Sequence, residues 1–221
     1  MKLYGVFDIL GPIMIGPSSS HTAGAARLGK IAGKIAGEDF KKVEFYLHGS
    51  FAKTYKGHGT DRALVAGVLG MEPYDERLRN SLEIAKEKGI EIIFIPTDLG
   101  DQHPNTVKFV FYKDNEKTIE VMGSSIGGGN ILITEIDGEK VEFTGEYPTI
   151  ITKYKDRKGM IADISKFILE VDANIANMKV TRNPQKITTA IIELDAKLDD
   201  EVIEKIKNIK DMINVVAINP V

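Results

Sequence analysis

Seven consecutive residues near the amino terminus, Gly16-Pro17-Ser18-Ser19-Ser20-His21-Thr22, bring several hydroxyl groups next to an imidazole. Serine and threonine at a helix start accept hydrogen bonds from free backbone N–H groups. The same N–H groups and the helix dipole attract a carboxylate or a phosphate. Three serines in a row exceed the need of one cap. The segment is therefore either a turn that only caps a helix or the polar floor of a small-anion pocket, with His21 able to move protons near neutral pH.

A second histidine lies in the sequence Lys56-Gly57-His58-Gly59-Thr60-Asp61. Two flanking glycines predict a sharply bent loop that allows close approach, and Thr60 or Asp61 is expected to cap the helix that follows. The positive field at that helix start favours a neutral imidazole, which can accept a proton. His58 is thus a candidate base, and an incidental loop histidine is the alternative.

Two further polar segments follow. His103 lies in Asp101-Gln102-His103-Pro104-Asn105-Thr106, where the proline restricts the residue before it; a solvated turn is the alternative interpretation. Farther on, Gly127, Gly128 and Gly129 expose backbone N–H groups and tolerate positive φ, which suits an anion or a neighbouring chain. This run matches neither Gly-x-Gly-x-x-Gly nor Gly-Lys-Ser/Thr, so it is not a nucleotide signature.

The composition limits the class of protein. The 221 residues, 43% hydrophobic and 28% charged, suit one large or two modest globular domains. A net charge of −3 without a long Lys/Arg run argues against nucleic acid. The start does not resemble a signal peptide and no apolar run approaches membrane-spanning length, so we expect a cytoplasmic protein without a membrane partner. With no cysteine, the chain has no disulfide, thiol nucleophile or thiolate for zinc or an iron–sulfur cluster.

Hydrophobic periodicity and breakers predict the elements that position these residues. In the amino-terminal half we expect a short strand over 3–9, helices over 23–36, from 60 or 61 to 69, and over 75–88, and strands over 42–47 and 91–95. Glycines and alanines keep the first helix slim, which permits close packing. Two hairpins follow, with strands at 107–112, 118–123, 130–136 and 140–143. The glycine run is expected in the loop between these hairpins.

The last third has the order strand 149–155, helix 160–170, strands 175–182 and 187–194, helix 199–209 and strand 213–218. This βαββαβ order is the ferredoxin-like split unit. With its first turn, Asp156-Arg157-Lys158-Gly159-Met160, it resembles the ACT family of amino-acid-sensing domains. Its charges nearly balance, which makes the related RNA-binding folds a poorer match.

The motifs Gly-Pro-Ser-Ser-Ser-His-Thr, Lys-Gly-His-Gly-Thr-Asp, His-Pro-Asn and Ser-Ile-Gly-Gly-Gly, in this order before an ACT domain, resemble the β subunit of the iron–sulfur-dependent L-serine dehydratases. The resemblance covers the whole chain. It implies β-elimination of L-serine to pyruvate and ammonia. It also implies a cysteine-bearing α subunit that holds a [4Fe–4S] cluster, whose iron would activate the serine hydroxyl as a Lewis acid.

Within that resemblance we assign roles as a hypothesis. A base must remove the Cα proton while a clamp holds the substrate. His58 is the leading base, and His21 and His103 are orienting or alternative proton carriers. The substrate-binding residues are Ser18, Ser19, Ser20, Thr22, Thr60, Asp61, Asn105, Gly127, Gly128 and Gly129. His48 lies outside the motifs and is not included.

Two alternatives stay open. The amino-terminal part also resembles an allosteric substrate-binding domain of some 3-phosphoglycerate dehydrogenases, so the chain could be a non-catalytic serine sensor that regulates another enzyme. A metal site built from His21, His58 and His103 is the other, but their wide spacing carries no ligand signature, and we expect none.

The expected fold class is α+β, with an N-terminal α/β domain that has a mixed sheet and a C-terminal ferredoxin-like ACT domain. The domain limits are 1–143, a linker over 144–148, and 149–221. ACT domains commonly pair edge to edge, so we expect a β–β contact in an α2β2 assembly or a homodimer. The turn at Gly159, Met160 and Ile161 is the candidate effector site.

Overall fold

The computed structural model describes residues 13–114 and 116–221, so the strand expected over 3–9 lies outside the described residues. Contacts divide the chain into two compact units, one ending at Gly138 and the other beginning at Glu139. The domain limits at 143 and 149 stay a prediction. Within the described residues, no helix is long and apolar enough to cross a membrane.

Helices cover one part of the first unit. A π-helical turn, Ser19–Gly24, leads into α1 (Ala25–Ala36), which ends where the helix over 23–36 was expected to end and is followed by Gly37 at φ 84°. After β1 (Lys42–Leu47) come α2 (Gly49–His58), α3 (Thr60–Val68) and α4 (Ser81–Glu87). The helix expected over 75–88 is divided, because its first part, Glu76–Asn80, is a 3₁₀ helix capped by the Asp75 carboxylate.

The slim first helix packs closely against α3, as its glycines and alanines predict. A Cβ atom added to Gly29 would lie 2.2 Å from the carbonyl oxygen of Leu64, and one added to Gly67 would lie 2.0 Å from that of Ala26. The two backbones therefore touch, and only glycine fits at these contacts. This close approach fixes α1 and the polar turn before it.

The remaining strands of the first sheet are β2 (Glu91–Pro96), β3 (Thr106–Lys113), β4 (Glu116–Gly127), β5 (Asn130–Ile136) and β6 (Glu139–Phe143). Their order is β2-β1-β3-β4-β5-β6. Strand β1 pairs in parallel with β2 and antiparallel with β3, so the sheet is mixed as predicted. One face of β1 is buried through Val43, Phe45 and Leu47.

One strand is longer than expected. Strand β4 continues to Gly127 and pairs with β5 up to Asn130. The segment expected as a loop between two hairpins is thus mostly strand, closed by a tight turn at Gly128 and Gly129. Three consecutive glycines at φ 110°, 62° and 85° permit this turn, because other residues rarely adopt such angles.

The second unit contains the predicted βαββαβ order. Its elements are β7 (Thr149–Lys155), α5 (Met160–Leu169), β8 (Ile175–Arg182), β9 (Ile187–Leu194), α6 (Asp200–Lys207) and β10 (Met212–Ile218). The antiparallel sheet has the order β10-β7-β9-β8. Both helices bury apolar residues in its core, which includes Ile164, Ile192 and Ile206. The α+β class with a ferredoxin-like second unit is confirmed.

Candidate active site

The serine-rich segment forms the first turn of the helix that leads into α1. Ser18 is the N-cap, and its Oγ accepts the backbone N–H of His21 at 3.3 Å. The turn itself is π-helical, a wide turn that is frequent at functional sites. Thr22 is buried, and a Cβ atom on Gly16 would lie 2.2 Å from its Oγ1. Ser19, Ser20 and His21 remain partly exposed, so these side chains can face a ligand.

The His21 imidazole lies against one face of α2. Its Nε2 is 3.3 Å from Ser50 Oγ and 3.1 Å from Thr54 Oγ1, while its Nδ1 is 3.3 Å from Ser18 Oγ. The ring of Phe51 meets it edge-on at 5.2 Å. Both ring nitrogens and the side toward Phe51 therefore have neighbours that restrict the orientation of this imidazole.

His58 is not in a loop, which corrects one expectation. It is the last residue of α2, and Gly59 in the left-handed conformation (φ 69°) turns the chain directly into α3. Its ring lies 4.9 Å from that of His21, and its residue is exposed. Because His58 lies between the carboxyl end of α2 and the amino end of α3, the two helix fields oppose each other there. The expected net positive field is therefore not supported.

The predicted side-chain cap at the start of α3 is also wrong. The N-cap is Gly59, without a side-chain hydrogen bond, and the Asp61 carboxylate accepts the N–H of Arg62. Thr60 is fully buried, and its Oγ1 has no hydrogen-bond partner there. Burial raises the pKa of the Asp61 carboxyl above its ordinary value.

The His103 segment lies at the start of α2. The carbonyl oxygen of Pro104 accepts the N–H of Ser50 at 2.7 Å, which joins this segment to the helix that holds His21. His103 itself is exposed, and its Nδ1 accepts the N–H of Asn105 at 3.2 Å. The described contacts do not bring its ring against His21 or His58. Of the three histidines, two meet, and the third belongs to a neighbouring loop.

The β4–β5 hairpin completes the cluster. The N–H of Ser125 donates to the carbonyl oxygen of Asn105, and a Cβ atom on Gly24 would lie 2.0 Å from Ser125 Oγ. The hairpin turn is held by Arg27, whose Nη1 donates to the carbonyl oxygen of Gly129 at 2.8 Å. The glycine run and the serine-rich turn are therefore neighbours, as a shared site requires.

Besides Thr60 Oγ1, two oxygen atoms in this cluster are buried without a hydrogen-bond partner among the described residues. They are Asn105 Oδ1, just before β3, and Ser125 Oγ, on β4. Buried polar atoms are usually paired, and an unpaired one costs roughly 1–3 kcal/mol. Such atoms are frequent where a polar ligand binds.

The electrostatics around His21 favour its neutral form. Burial, and then the neighbouring His58, lower the pKa of His21 below its ordinary value of 6.5. A charge on one imidazole opposes a charge on the other at this separation. His21 is therefore mainly uncharged near neutral pH.

The sequence interpretation missed three residues that hold the site, namely Ser50, Thr54 and Arg27. Ser50, Thr54 and His58 are spaced four apart, so they share one face of a helix. That spacing could have identified α2, but Gly57 and Gly59 indicated a loop instead. Arg27 gave no signal of its own, because its partner is 102 positions away.

His48, which was not included among the candidate site residues, has a structural contact just before α2. The Nδ1 of His48 accepts the N–H of Leu99 at 3.0 Å, where β1 and β2 end.

In the second unit, Gly159 is left-handed at φ 84° and caps α5, and Met160 is buried in the core. Nothing tests an effector at this turn, which stays a prediction.

The described side chains do not form a metal site. Residues 13–114 and 116–221 contain no group of three or more His, Cys, Asp or Glu residues placed to hold a metal ion. The chain as a whole contains no cysteine. The residues of this chain therefore do not fit as ligands of an iron–sulfur cluster.

Comparisons with known proteins identify the family of this chain. Residues 5–87 match the family described as serine dehydratase beta chain, and residues 149–211 match the ACT domain. The chain is 47% identical to the L-serine dehydratase beta chain of Peptoniphilus asaccharolyticus, over 94% of this chain and 93% of that protein. It is 40% identical to the probable L-serine dehydratase beta chain of Bacillus subtilis, over 99% of both.

A different enzyme matches more weakly. The chain is 30% identical to the D-3-phosphoglycerate dehydrogenase of Methanocaldococcus jannaschii, over 88% of this chain and 37% of that protein.

The fold and the matched segments define a serine dehydratase beta-type protein with an ACT domain. The chain belongs to the L-serine dehydratase beta-chain family, and it is a subunit of an ammonia-lyase that acts with an alpha chain.

Proposed function

We propose that this chain supplies the base for the conversion of L-serine to pyruvate and ammonia, and that the base is His58. The observation that carries the proposal is the state of the three imidazoles. Both nitrogens of His21 lie within hydrogen-bond distance of hydroxyls, and His103 Nδ1 accepts a backbone N–H. A neutral His103 then carries its proton on Nε2, so it has no free lone pair. His58 is exposed, and no hydrogen bond within the described residues occupies its ring.

The reaction places one demand on that base. It takes the Cα proton, the C–H electrons form the Cα–Cβ double bond, and the hydroxyl leaves with the C–O electrons as hydroxide, which takes up a proton to form water. The resulting 2-aminoacrylate tautomerises to an imine, which water hydrolyses to pyruvate and ammonia. A base for the first step needs a lone pair close to the substrate and an oriented ring. Contact with the fixed His21 ring supports that orientation for His58.

The proposed substrate clamp is the polar surface around the two imidazoles. Ser19 and Ser20 are the partly exposed hydroxyls of the π-helical turn, while Ser18 caps it and Thr22 lies buried behind them. Across from the turn, the proposed binding groups include Asn105 and the N–H groups of the glycine turn. The remaining proposed members, Thr60 and Asp61, begin α3 beside His58.

Activation of the leaving hydroxyl has to come from outside this chain. We assign the [4Fe–4S] cluster to a cysteine-bearing alpha chain, because this chain has no cysteine and no described cluster of metal-binding side chains. The active site is then shared between two subunits. A β–β contact through ACT domains, within an α2β2 assembly or a homodimer, an effector at the Gly159 turn, and a cytoplasmic location complete the proposal.

The test is anaerobic pyruvate formation from L-serine by this chain alone and by the chain assembled with its alpha partner. We expect activity only in the assembly. His58→Ala should lower kcat by roughly 10²–10⁴ without preventing assembly. Lys53→Ala, at an exposed position on the same helix, is the matched control and should leave turnover unchanged. Near-normal turnover of His58→Ala would remove His58 from this role.

A regulatory role is the second candidate, because the weaker match is to a D-3-phosphoglycerate dehydrogenase that the chain covers only in part. In this role the chain binds serine and controls a site carried wholly by the alpha chain. It predicts serine binding by the isolated chain, measurable by calorimetry. It also predicts an unchanged kcat in the His58→Ala assembly, which the first proposal does not allow.

A further inference from the structure

The hydroxyl of Thr54 can act only as a hydrogen-bond acceptor toward His21. Thr54 Oγ1 donates its hydrogen to the carbonyl oxygen of Ser50, four residues earlier in α2, at 2.8 Å. Such a bond within a helix turn is common for threonine. A hydroxyl has a single hydrogen. Toward His21 Nε2, at 3.1 Å, the Thr54 oxygen can therefore only accept.

The contact between Ser18 and His21 Nδ1 independently indicates the same tautomer. Ser18 Oγ already accepts the backbone N–H of His21 at 3.3 Å, which leaves its own hydrogen to donate. His21 Nδ1, also at 3.3 Å, is an acceptor within reach of that hydrogen. An imidazole that accepts at Nδ1 and donates from Nε2 is one tautomer of the neutral ring.

We propose that Thr54 is a positioning residue that fixes His21 as the neutral Nε2–H tautomer and so holds its ring beside His58. The link to catalysis rests on the proposed function, in which His58 is the base. Fixing the ring removes rotation of the imidazole and flipping of its nitrogens. In this arrangement His21 orients its neighbour and has no lone pair free for the substrate.

The pKa of His21 supports the same state. Burial and the adjacent His58 lower this pKa, so the ring is neutral near neutral pH. Only a neutral imidazole has a choice between two tautomers. Ser50 Oγ, at 3.3 Å from Nε2, gives the N–H a second acceptor. The edge-on Phe51 ring at 5.2 Å restricts the remaining motion.

The tautomer can be read directly by NMR on the isolated chain with ¹⁵N-labelled histidine. Long-range ¹H–¹⁵N correlations above the ordinary histidine pKa distinguish a protonated nitrogen from one with a free lone pair, and His21→Asn identifies the signals. We expect protonated Nε2 and unprotonated Nδ1 at His21. Thr54→Val, which keeps the shape but removes the oxygen, should give a mixture of tautomers. Thr54→Ser should restore the single one.

Turnover of the assembly with the alpha chain gives the second measurement. Thr54→Val should lower kcat by roughly 10², the cost of a misplaced catalytic group, with a smaller change in KM. Thr54→Ser should recover most of the loss. The two proposals fail separately. Normal turnover of His58→Ala refutes the base assignment, and a protonated Nδ1 in the unmodified chain overturns the tautomer assignment whatever the turnover. A Thr54→Val chain that keeps a single Nε2–H tautomer overturns the role of Thr54.

Discussion

The guanidinium of Arg27 donates to the carbonyl oxygen of Gly129 at 2.8 Å, although the two residues are 102 positions apart. Arg27 lies one turn beyond the π-helical segment, and Gly129 lies in the β4–β5 turn. The bond therefore joins the serine-rich turn to the glycine run, the two most distinctive motifs of the sequence. It explains how residues from opposite ends of the first unit form one surface.

Replacing Arg27 by methionine should loosen the glycine turn. Methionine keeps much of the length of the side chain but removes the donor, and a hydrogen bond from a charged group contributes about 1.5–3 kcal/mol. We expect a loss of free energy of unfolding in that range, measured by urea denaturation, and a higher KM for serine. Arg62→Met, at an exposed position on α3, is the matched control. Equal effects of both substitutions on the free energy of unfolding and on KM would show that the Arg27–Gly129 bond contributes nothing specific to stability or binding.

Gly24 should not tolerate a side chain. A Cβ atom there would lie 2.0 Å from Ser125 Oγ and 2.8 Å from Ser125 Cβ, so Gly24→Ala must displace the strand or the turn. Overpacking of this kind costs about 1–3 kcal/mol. We expect a lower melting temperature by calorimetry. A second change, Ser125→Gly, should restore part of the loss, because it removes both clashing atoms.

The control for this prediction is another glycine-to-alanine substitution, for which the opposite effect on stability is expected. Gly57 lies in α2, and a Cβ atom there meets nothing within 4 Å. Gly57→Ala should therefore raise the free energy of unfolding by about 0.5–1 kcal/mol through helix propensity alone. If Gly24→Ala were also stabilising, the close contact between the turn and β4 would be wrong.

Stability should depend on pH through His21. Its pKa is lowered in the folded chain, mainly by burial, whereas the unfolded chain has the ordinary value of 6.5. Between the two values the unfolded chain binds more protons, so folding is favoured less as the pH falls. The contribution is fully present above 6.5 and is lost as the pH falls toward the folded pKa. His21→Asn should remove this dependence.

Urea denaturation at a series of pH values from above to below 6.5 measures this effect. The difference in free energy of unfolding between the unmodified chain and His21→Asn should shrink as the pH is lowered. His48→Asn is a useful comparison, because His48 lies apart from His58 and bonds to the backbone of Leu99. A difference that stays constant with pH would mean that His21 titrates alike in both states.

Much of the fold could be predicted because its signals are local. In the second unit, alternating β-branched and aromatic residues such as Ile150, Thr152 and Tyr154 mark a strand, and the spacing of Ile164 and Ile168 marks a helix. The close packing of α1 also followed from Gly29 and Gly33, since small residues on one helix face permit contact. These patterns depend only on neighbours in sequence, so the sequence alone is sufficient to predict these elements.

The site was harder, because its geometry depends on contacts between distant segments. Gly57 and Gly59 indicated a loop, yet only Gly59 needs positive φ, so His58 ends a helix. Ser125 was expected in a loop, but pairing with β5 extends the strand through it. No local pattern shows which strand will pair or which hydroxyl will meet His21. The motifs therefore identified the participants, and only the structure gave their arrangement.

Ser125 provides the sharpest test of a ligand site on this surface. Its side chain is fully buried, and its Oγ has no hydrogen-bond partner within the described residues. The neighbouring Ser124 is also buried, but its Oγ lies 2.6 Å from Thr106 Oγ1. Two adjacent serines on β4 thus have equal burial and opposite hydrogen bonding. Replacing each by alanine separates a structural hydroxyl from one kept for a ligand.

Ser125→Ala should raise the free energy of unfolding of the isolated chain by about 1 kcal/mol, since it removes an unpaired buried hydroxyl. Ser124→Ala should lower it by a similar amount, because a formed bond is lost. In the assembly with the alpha chain, Ser125→Ala should raise KM for serine more than it changes kcat, as expected when a ground-state contact is lost. Urea denaturation and steady-state kinetics measure the two effects. If Ser125→Ala destabilised the chain as Ser124→Ala does and left KM unchanged, its hydroxyl would have a structural partner and no role in binding.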